Sequence, residues 1–244
     1  MIARFIQHGG FLDVNVVGGT GDGGADIVAV YKGKRYVIQA KYRSSGSINQ
    51  HAVKEAFKAH WLYKADICIT TTNRKFSSSA FSYRKERAEA GFVLNLWDNE
   101  FLMDQGDQLP FESKAKRPLR SYQIDAVSCI QDALNTGSKH ALVTLATGLG
   151  KTVVAATFIS NYLENRPDAK VLFLAHMSDL VRQLEQSCWP QLNKHIDTHI
   201  WTDGEHPSFH KGITFATWQS IKVVVDDDSL PNNFYDLIVV DECH

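Results

Sequence analysis

The stretch that decides the fold is His140–Leu163, HALVTLATGLGKTVVAATFISNYL. It opens with a short apolar run, His140–Leu145, of strand length. A glycine loop follows, Ala146–Thr152 (ATGLGKT), and the apolar pattern after it predicts a helix over 151–164. Strand, glycine loop and helix in that order form the setting a phosphate-binding loop requires. Gly148 and Gly150 let the backbone turn its N–H groups, that of Thr147 among them, toward a phosphate. The positive end of the following helix points to the same place. Lys151 would reach the β- and γ-phosphates and Thr152 would offer its hydroxyl to Mg²⁺. The general GxxxxGK[ST] pattern is not fully met, because Leu145 stands at its first glycine.

Downstream, the apolar run Asp236–Val240 predicts a strand that ends in Asp241-Glu242-Cys243-His244. A carboxylate at such a strand end can hold the Mg²⁺ of a nucleotide, a role for Asp241. A second carboxylate beside it, Glu242, can polarise an attacking water. Between loop and acidic pair the pattern predicts strand 171–175, helix 178–188 and strand 213–217, with a helix over 121–135 upstream. Strands alternating with helices argue for a parallel, doubly wound sheet.

Residues 104–116 are polar and charged with little periodicity, so they read as a linker between a domain over 1–103 and another over 117–244. In the first domain, Val14–Val17, Ile27–Tyr31 and Tyr36–Ala40 read as short strands. Lys32-Gly33-Lys34-Arg35 joins the last two as a hairpin loop. Val53, Phe57 and Trp61 recur every four residues and mark one face of a helix over 49–63. Ala65–Thr71 reads as a buried strand, Ser77–Ala90 as a helix and Phe92–Trp97 as a strand.

The glycines Gly19, Gly21 and Gly24 spell GxGxxG, but they run into a strand, whereas a dinucleotide-binding fingerprint opens a helix. They instead bend the backbone so that Asp26 lands at a strand start. Gln39 and Lys41, two apart on one strand, point to one face, with Asp26 on the neighbouring strand. A carboxylate with a nearby lysine can bind a divalent metal and orient a water toward a phosphodiester. By spacing alone, an ordinary surface hairpin fits as well.

The whole chain has 244 residues, 44% of them hydrophobic, an ordinary globular balance. Its four cysteines lie far apart with no CxxC pair, which argues for reduced thiols in the cytoplasm. No apolar run reaches membrane-spanning length, and the start lacks a signal-peptide pattern. The net charge of −1 hides an asymmetry: residues 1–97 carry 14 Lys and Arg against 7 Asp and Glu. That surplus suits a polyanionic partner, although a solvated basic face produces it equally well.

The second half resembles the superfamily 2 helicases and translocases of the DEAD/DEAH-box class, which write their first motif A-T-G-x-G-K-T. Pro118–Gln123 is similar to the family's LRxYQ segment, which implies that Gln123 reads the adenine. Leu174-Ala175-His176 with Leu180 and Gln183, and Ala216–Ser220 with Thr217, resemble motifs that touch the nucleic-acid backbone. The likeness is greatest to the helicase subunits of ATP-dependent restriction enzymes. It reaches motif II at 241–244, so these residues alone are expected to bind ATP without turning it over.

GDGGADIVAV…YVIQAKYR in the first half resembles the Mrr-like branch of the PD-(D/E)xK nucleases, in which Q-x-K replaces E-x-K. The resemblance implies Asp26 as the metal ligand, Gln39 as the variant second position and Lys41 as the catalytic lysine. Thr70-Thr71, Phe76-Ser77 and Ala80 fit the family's later strand and helix start. The family's opening helix carries an acid, and here only MIARFIQHGG corresponds to it.

Together the resemblances imply a restriction-endonuclease-like mixed sheet followed by a partial RecA-like α/β domain. They also imply ATP, Mg²⁺ or Mn²⁺, duplex DNA, and a methyltransferase or specificity subunit as partner. Arg43, Arg74 and Lys75 are candidate phosphate contacts. A repair helicase, a remodeller whose nuclease-like domain only grips DNA, and a nucleotide-binding switch remain open.

Overall fold

The structure, a computed structural model, describes residues 1–17, 23–202, 204–227 and 229–241. The chain forms two units, Met1–Pro110 and Phe111–His244. In the first, β1 (Leu12–Val16), β2 (Ile27–Tyr31), β3 (Lys34–Lys41), β4 (Ile67–Thr72) and β5 (Val93–Trp97) form one sheet in chain order. The pairings β1–β2 and β2–β3 are antiparallel, and β3–β4 and β4–β5 are parallel. The β2–β3 turn is tighter than the sequence predicts. Lys32 and Gly33 alone make it, with φ of 50° and 74°, and two positive φ values in a row match the twist of a hairpin.

Parallel neighbours need crossovers. These are α2 (Gln50–Tyr63) between β3 and β4, and α3 (Ser78–Glu89) between β4 and β5. Asn49 caps α2 by accepting from the His51 N–H at 3.1 Å. The buried face of α2 is Ala52, Val53, Ala56, Phe57 and Ala59, packed with Val37, Cys68 and Phe76. Trp61, predicted on that face, is 66% exposed. A row of residues four apart drifts around a 3.6-residue helix and leaves the core by its third member. Burial pushes the Cys68 thiol up to about 12. The unit also contains α1 (Ile2–His8) and α4 (Asn99–Gln108). The latter is capped by Asp98, which accepts from the Phe101 N–H at 2.9 Å. The stretch read as linker thus begins inside α4.

The second unit carries α5 (Ser121–Asn135), α6 (Lys151–Asn165), β6 (Lys170–Ala175), α7 (Ser178–Cys188), β7 (Thr198–Trp201), β8 (Gly212–Thr217), α8 (Trp218–Asp226) and β9 (Leu237–Val240). Its sheet is wholly parallel in the order β7-β8-β6-β9. Phe173 and Phe215 stack at 5.6 Å in its core, among Ile159, Val171 and Leu192. The strand predicted over His140–Leu145 is absent: these residues pair with no strand among those described, and Leu142 is 79% exposed. A strand requires a ladder partner, and an apolar run does not become one alone. β9 is the sheet's edge on that side, with Ile238 and Val240 about half exposed. No helix among the described residues is long and apolar enough to cross a membrane.

Phe173 and its stacked partner predict one outcome. Phe173→Ala should cost about 3–5 kcal/mol in the second unit. Urea unfolding followed by the fluorescence of the buried Trp189 and Trp201 reads this; an unchanged midpoint would refute the packing.

Candidate functional site

The first site is built at the end of the β2–β3 hairpin. Ile27 pairs with Ile38, and the Asp26 N–H donates to the Ile38 carbonyl at 2.9 Å. Asp26 therefore stands just before β2, beside Gln39. Its Oδ2 accepts from the Ala40 N–H at 2.6 Å, which fixes the carboxylate over β3. Gln39 is only 4% exposed. Lys41 reaches from the strand end to Glu55 on α2, Nζ to Oε2 at 2.9 Å. The structure thus sets Asp26 opposite Gln39, on the strand that ends in Lys41.

It also brings in Glu55, which the sequence reading did not single out. The Lys41 ammonium, bonded to it, holds the Glu55 carboxyl below the usual carboxylate range; burial opposes this, and the Lys41 and His51 charges and the Gln39 amide add to it. His51 Nδ1 lies 3.5 Å from Glu55 Oε1. In sequence Glu55 looks like one solvated acid of a helix. The signal was topological: the crossover after a Q-x-K strand returns a helix over that strand's sheet.

Gly24 sets the spacing. Its φ is +90°, and a Cβ there would lie 3.0 Å from the Glu55 carbonyl and 3.4 Å from Gln39 Nε2. Residues 18–22 of the glycine run, Gly19 and Gly21 included, lie outside the described residues.

The DNA-contact candidates divide. Lys75 is exposed and pairs with Glu100 at 2.6 Å. Arg74 turns inward: Nε donates to the Arg43 carbonyl at 3.1 Å, and the guanidinium also bonds the Ser44 carbonyl. Arg74 clamps the loop after β3. The Arg43 backbone is held by Asn73 on both sides, and its side chain is exposed.

In the second unit, Gly148 and Gly150 have φ of 80° and 84°, and α6 begins at Lys151 directly after Gly150. The loop thus meets a helix N-terminus, as a phosphate cradle needs. Gln123 holds it from behind. Its Oε1 accepts from the Arg120 N–H at 2.9 Å and its Nε2 donates to the Leu149 carbonyl at 2.8 Å. Tyr122 donates to the same carbonyl at 3.2 Å. A Cβ on Gly150 would sit 2.6 Å from Gln123 Nε2. Gln123, expected to read an adenine, is here bonded at both ends of its amide to the chain itself. Among the described residues, Lys151 has no ion-pair partner.

Asp241 follows β9, and its N–H donates to the Leu174 carbonyl at 3.0 Å, which places it at the carboxyl end of the sheet. Glu242 lies outside the described residues. At the same end, Gln219 Nε2 donates to the His176 carbonyl at 3.2 Å and joins the two expected backbone-contact motifs. His176 and Gln183 are exposed. Thr217 is 5% exposed, and its hydroxyl caps α8 by accepting from the Ser220 N–H at 3.3 Å. Its side chain is therefore engaged inside the fold and not open to a phosphate.

The sequence model of the family described as "Type III restriction enzyme, res subunit" matches residues 116–244, and that of the family "Restriction endonuclease" matches residues 1–104. The endonuclease subunit of the type I restriction enzyme EcoAI of Escherichia coli is 29% identical over 137 residues, 54% of this chain and 16% of that protein. The EcoKI endonuclease subunit of Escherichia coli K12 is 32% identical over 140 residues, 52% of this chain and 11% of that one. The DEAD-box ATP-dependent DNA helicase Fancm of Drosophila melanogaster is 34% identical over 145 residues, 52% of this chain and 9% of its own length. The chain thus spans about a sixth or less of these curated relatives. Among solved structures, the ATP-dependent type ISP restriction-modification enzyme LlaBIII bound to DNA aligns with 99% of this chain and 19% of its own, at 18% identity and a TM-score of 0.45. Through residues 116–244, more than half of its length, the chain belongs to the type III restriction enzyme res-subunit family, and ahead of that part residues 1–104 match the restriction endonuclease model.

Proposed function

We propose that this chain is the nuclease and nucleotide-binding portion of an ATP-dependent DNA endonuclease of restriction type. The observation that carries the reading is the convergence of Asp26, Gln39 and Lys41 at one strand end, in a chain that continues as a res-subunit domain. Domain limits of 1–103 and 117–244, joined by 104–116, belong to the same proposal.

The residues fit a divalent cation, Mg²⁺ or Mn²⁺. Gln39 Oε1 is buried with no hydrogen-bond partner, and the β2–β3 register sets Gln39 opposite Asp26. Asp26 and Gln39 Oε1 would hold the ion. When bound, such an ion supplies positive charge and an activated water. Asp26 itself is positioned by the Ala40 N–H, and Lys41 offers an ammonium that can offset negative charge developing on the phosphate. In the second unit, the loop N–H groups and Lys151 would bind the ATP phosphates. Thr152 and Asp241 would hold the nucleotide's Mg²⁺, and Glu242 would orient water. An adenine contact by Gln123 requires it to release the Leu149 carbonyl.

A second reading, a DNA-gripping remodeller or repair helicase, draws on Gln39, which puts a neutral amide where a carboxylate is usual, and on the likeness to Fancm. Cleavage of duplex plasmid separates the two. In the protein that carries this chain, cleavage should need Mg²⁺ or Mn²⁺, and Asp26→Ala or Lys41→Ala should each reduce it to background without loss of fold. Cleavage that survives both changes overturns the nuclease reading.

Two binding outcomes follow as well. Lys151→Ala should abolish binding of a fluorescent ATP analogue, whereas Lys139→Ala, outside the loop, should not; equal binding by all three proteins contradicts the phosphate site. DNA affinity should fall steeply between about 50 and 200 mM salt, the mark of counterion release. A flat profile removes the electrostatic account of the basic first unit.

A further inference from the structure

One carboxylate and one neutral amide make a weak site for a hard divalent cation, whose affinity rises with the number of charged oxygen ligands. The structure places a second carboxylate, that of Glu55, within reach of Lys41. The Glu55 carboxylate is anchored by a residue of the site itself, Lys41 at 2.9 Å. We propose that Glu55, on α2, is the second carboxylate of the nuclease centre and binds its divalent cation together with Asp26 and Gln39 Oε1.

The inference rests on the nuclease reading above, and two observations support it. First, Gln39 is 4% exposed and its Oε1 has no hydrogen-bond partner. A buried polar atom left unpaired in a native fold marks an absent partner. A cation between Asp26 and Glu55 would be that partner. Second, α2 is held against this point: Gly24 has a φ of +90° and lies so close to the Glu55 carbonyl that a Cβ would come within 3.0 Å of it. An incidental surface ion pair does not require its helix to be pinned at the same residue.

On this account Lys41 occupies the Glu55 carboxylate when no cation is bound. Cation binding draws Glu55 away and leaves the Lys41 ammonium free to face the phosphate. The competing account makes Glu55 only the counter-charge of Lys41. His51, exposed and 3.5 Å from Glu55, is needed by neither.

The test is Mn²⁺ binding to residues 1–244 without nucleotide, by titration calorimetry, with circular dichroism as the folding control. Asp26→Asn should remove the binding. Glu55→Gln should weaken it at least about tenfold, and Glu55→Asp, which keeps the charge, should restore part of it. If Asp26→Asn abolishes binding while Glu55→Gln binds as the parent chain does, Glu55 is no ligand and the nuclease reading stands without it. If the parent chain binds no Mn²⁺, or Asp26→Asn binds normally, both fall together.

Discussion

Both sites are built at a glycine whose Cβ position is crowded by a neighbour. At Gly24 a Cβ would meet the Glu55 carbonyl at 3.0 Å, and at Gly150 it would meet Gln123 Nε2 at 2.6 Å. Each glycine also has positive φ, a conformation that other residues adopt at a cost. The first contact draws α2 onto the end of β3 and sets Glu55 beside Lys41 and Gln39. The second seats the phosphate loop on α5 and starts α6 at Lys151. The two units thus use one device for different chemistry. A missing side chain lets a functional group approach, and the hydrogen bonds around it then fix the geometry.

Much of the fold is written locally. The predicted limits Ile27–Tyr31 and Ser121–Asn135 match β2 and α5 residue for residue, because alternation and 3.6-residue periodicity need nothing from the rest of the chain. Where the sequence misleads, the deciding contact is distant. His140–Leu145 has the composition of a strand and no ladder partner among the described residues. β7 is four residues long and becomes a strand only by pairing with β8. α8 hides behind the β-branched Val223-Val224-Val225, which favour extended backbone, yet Thr217 caps it as a helix. Gly106 obscures α4 in the same way, although Asp98 caps it.

The site was legible as far as register reaches. Asp26, Gln39 and Lys41 follow from a hairpin and a two-residue repeat. Glu55 does not, because its place is decided by the path of a crossover helix. Two nucleic-acid-contact candidates, Arg74 by residue type and Thr217 by the motif resemblance, have internal partners: Arg74 bonds backbone carbonyls and Thr217 caps a helix. Side-chain type alone cannot tell a donor that faces outward from one already engaged. The family comparison and the geometry are independent here. One places residues 116–244 in the res-subunit family, and the other sets Asp26 and Gln39 side by side on a Q-x-K strand.

The central claim is that Asp26, Gln39 and Glu55 converge on one divalent cation. The most direct measurement is an anomalous difference map from crystals of this chain grown with Mn²⁺. The account predicts a peak about 2.1 Å, the octahedral oxygen distance of a small divalent ion, from Asp26, Gln39 Oε1 and Glu55, with the Lys41–Glu55 pair opened. A map with no peak there, and that ion pair intact at saturating Mn²⁺, would contradict it.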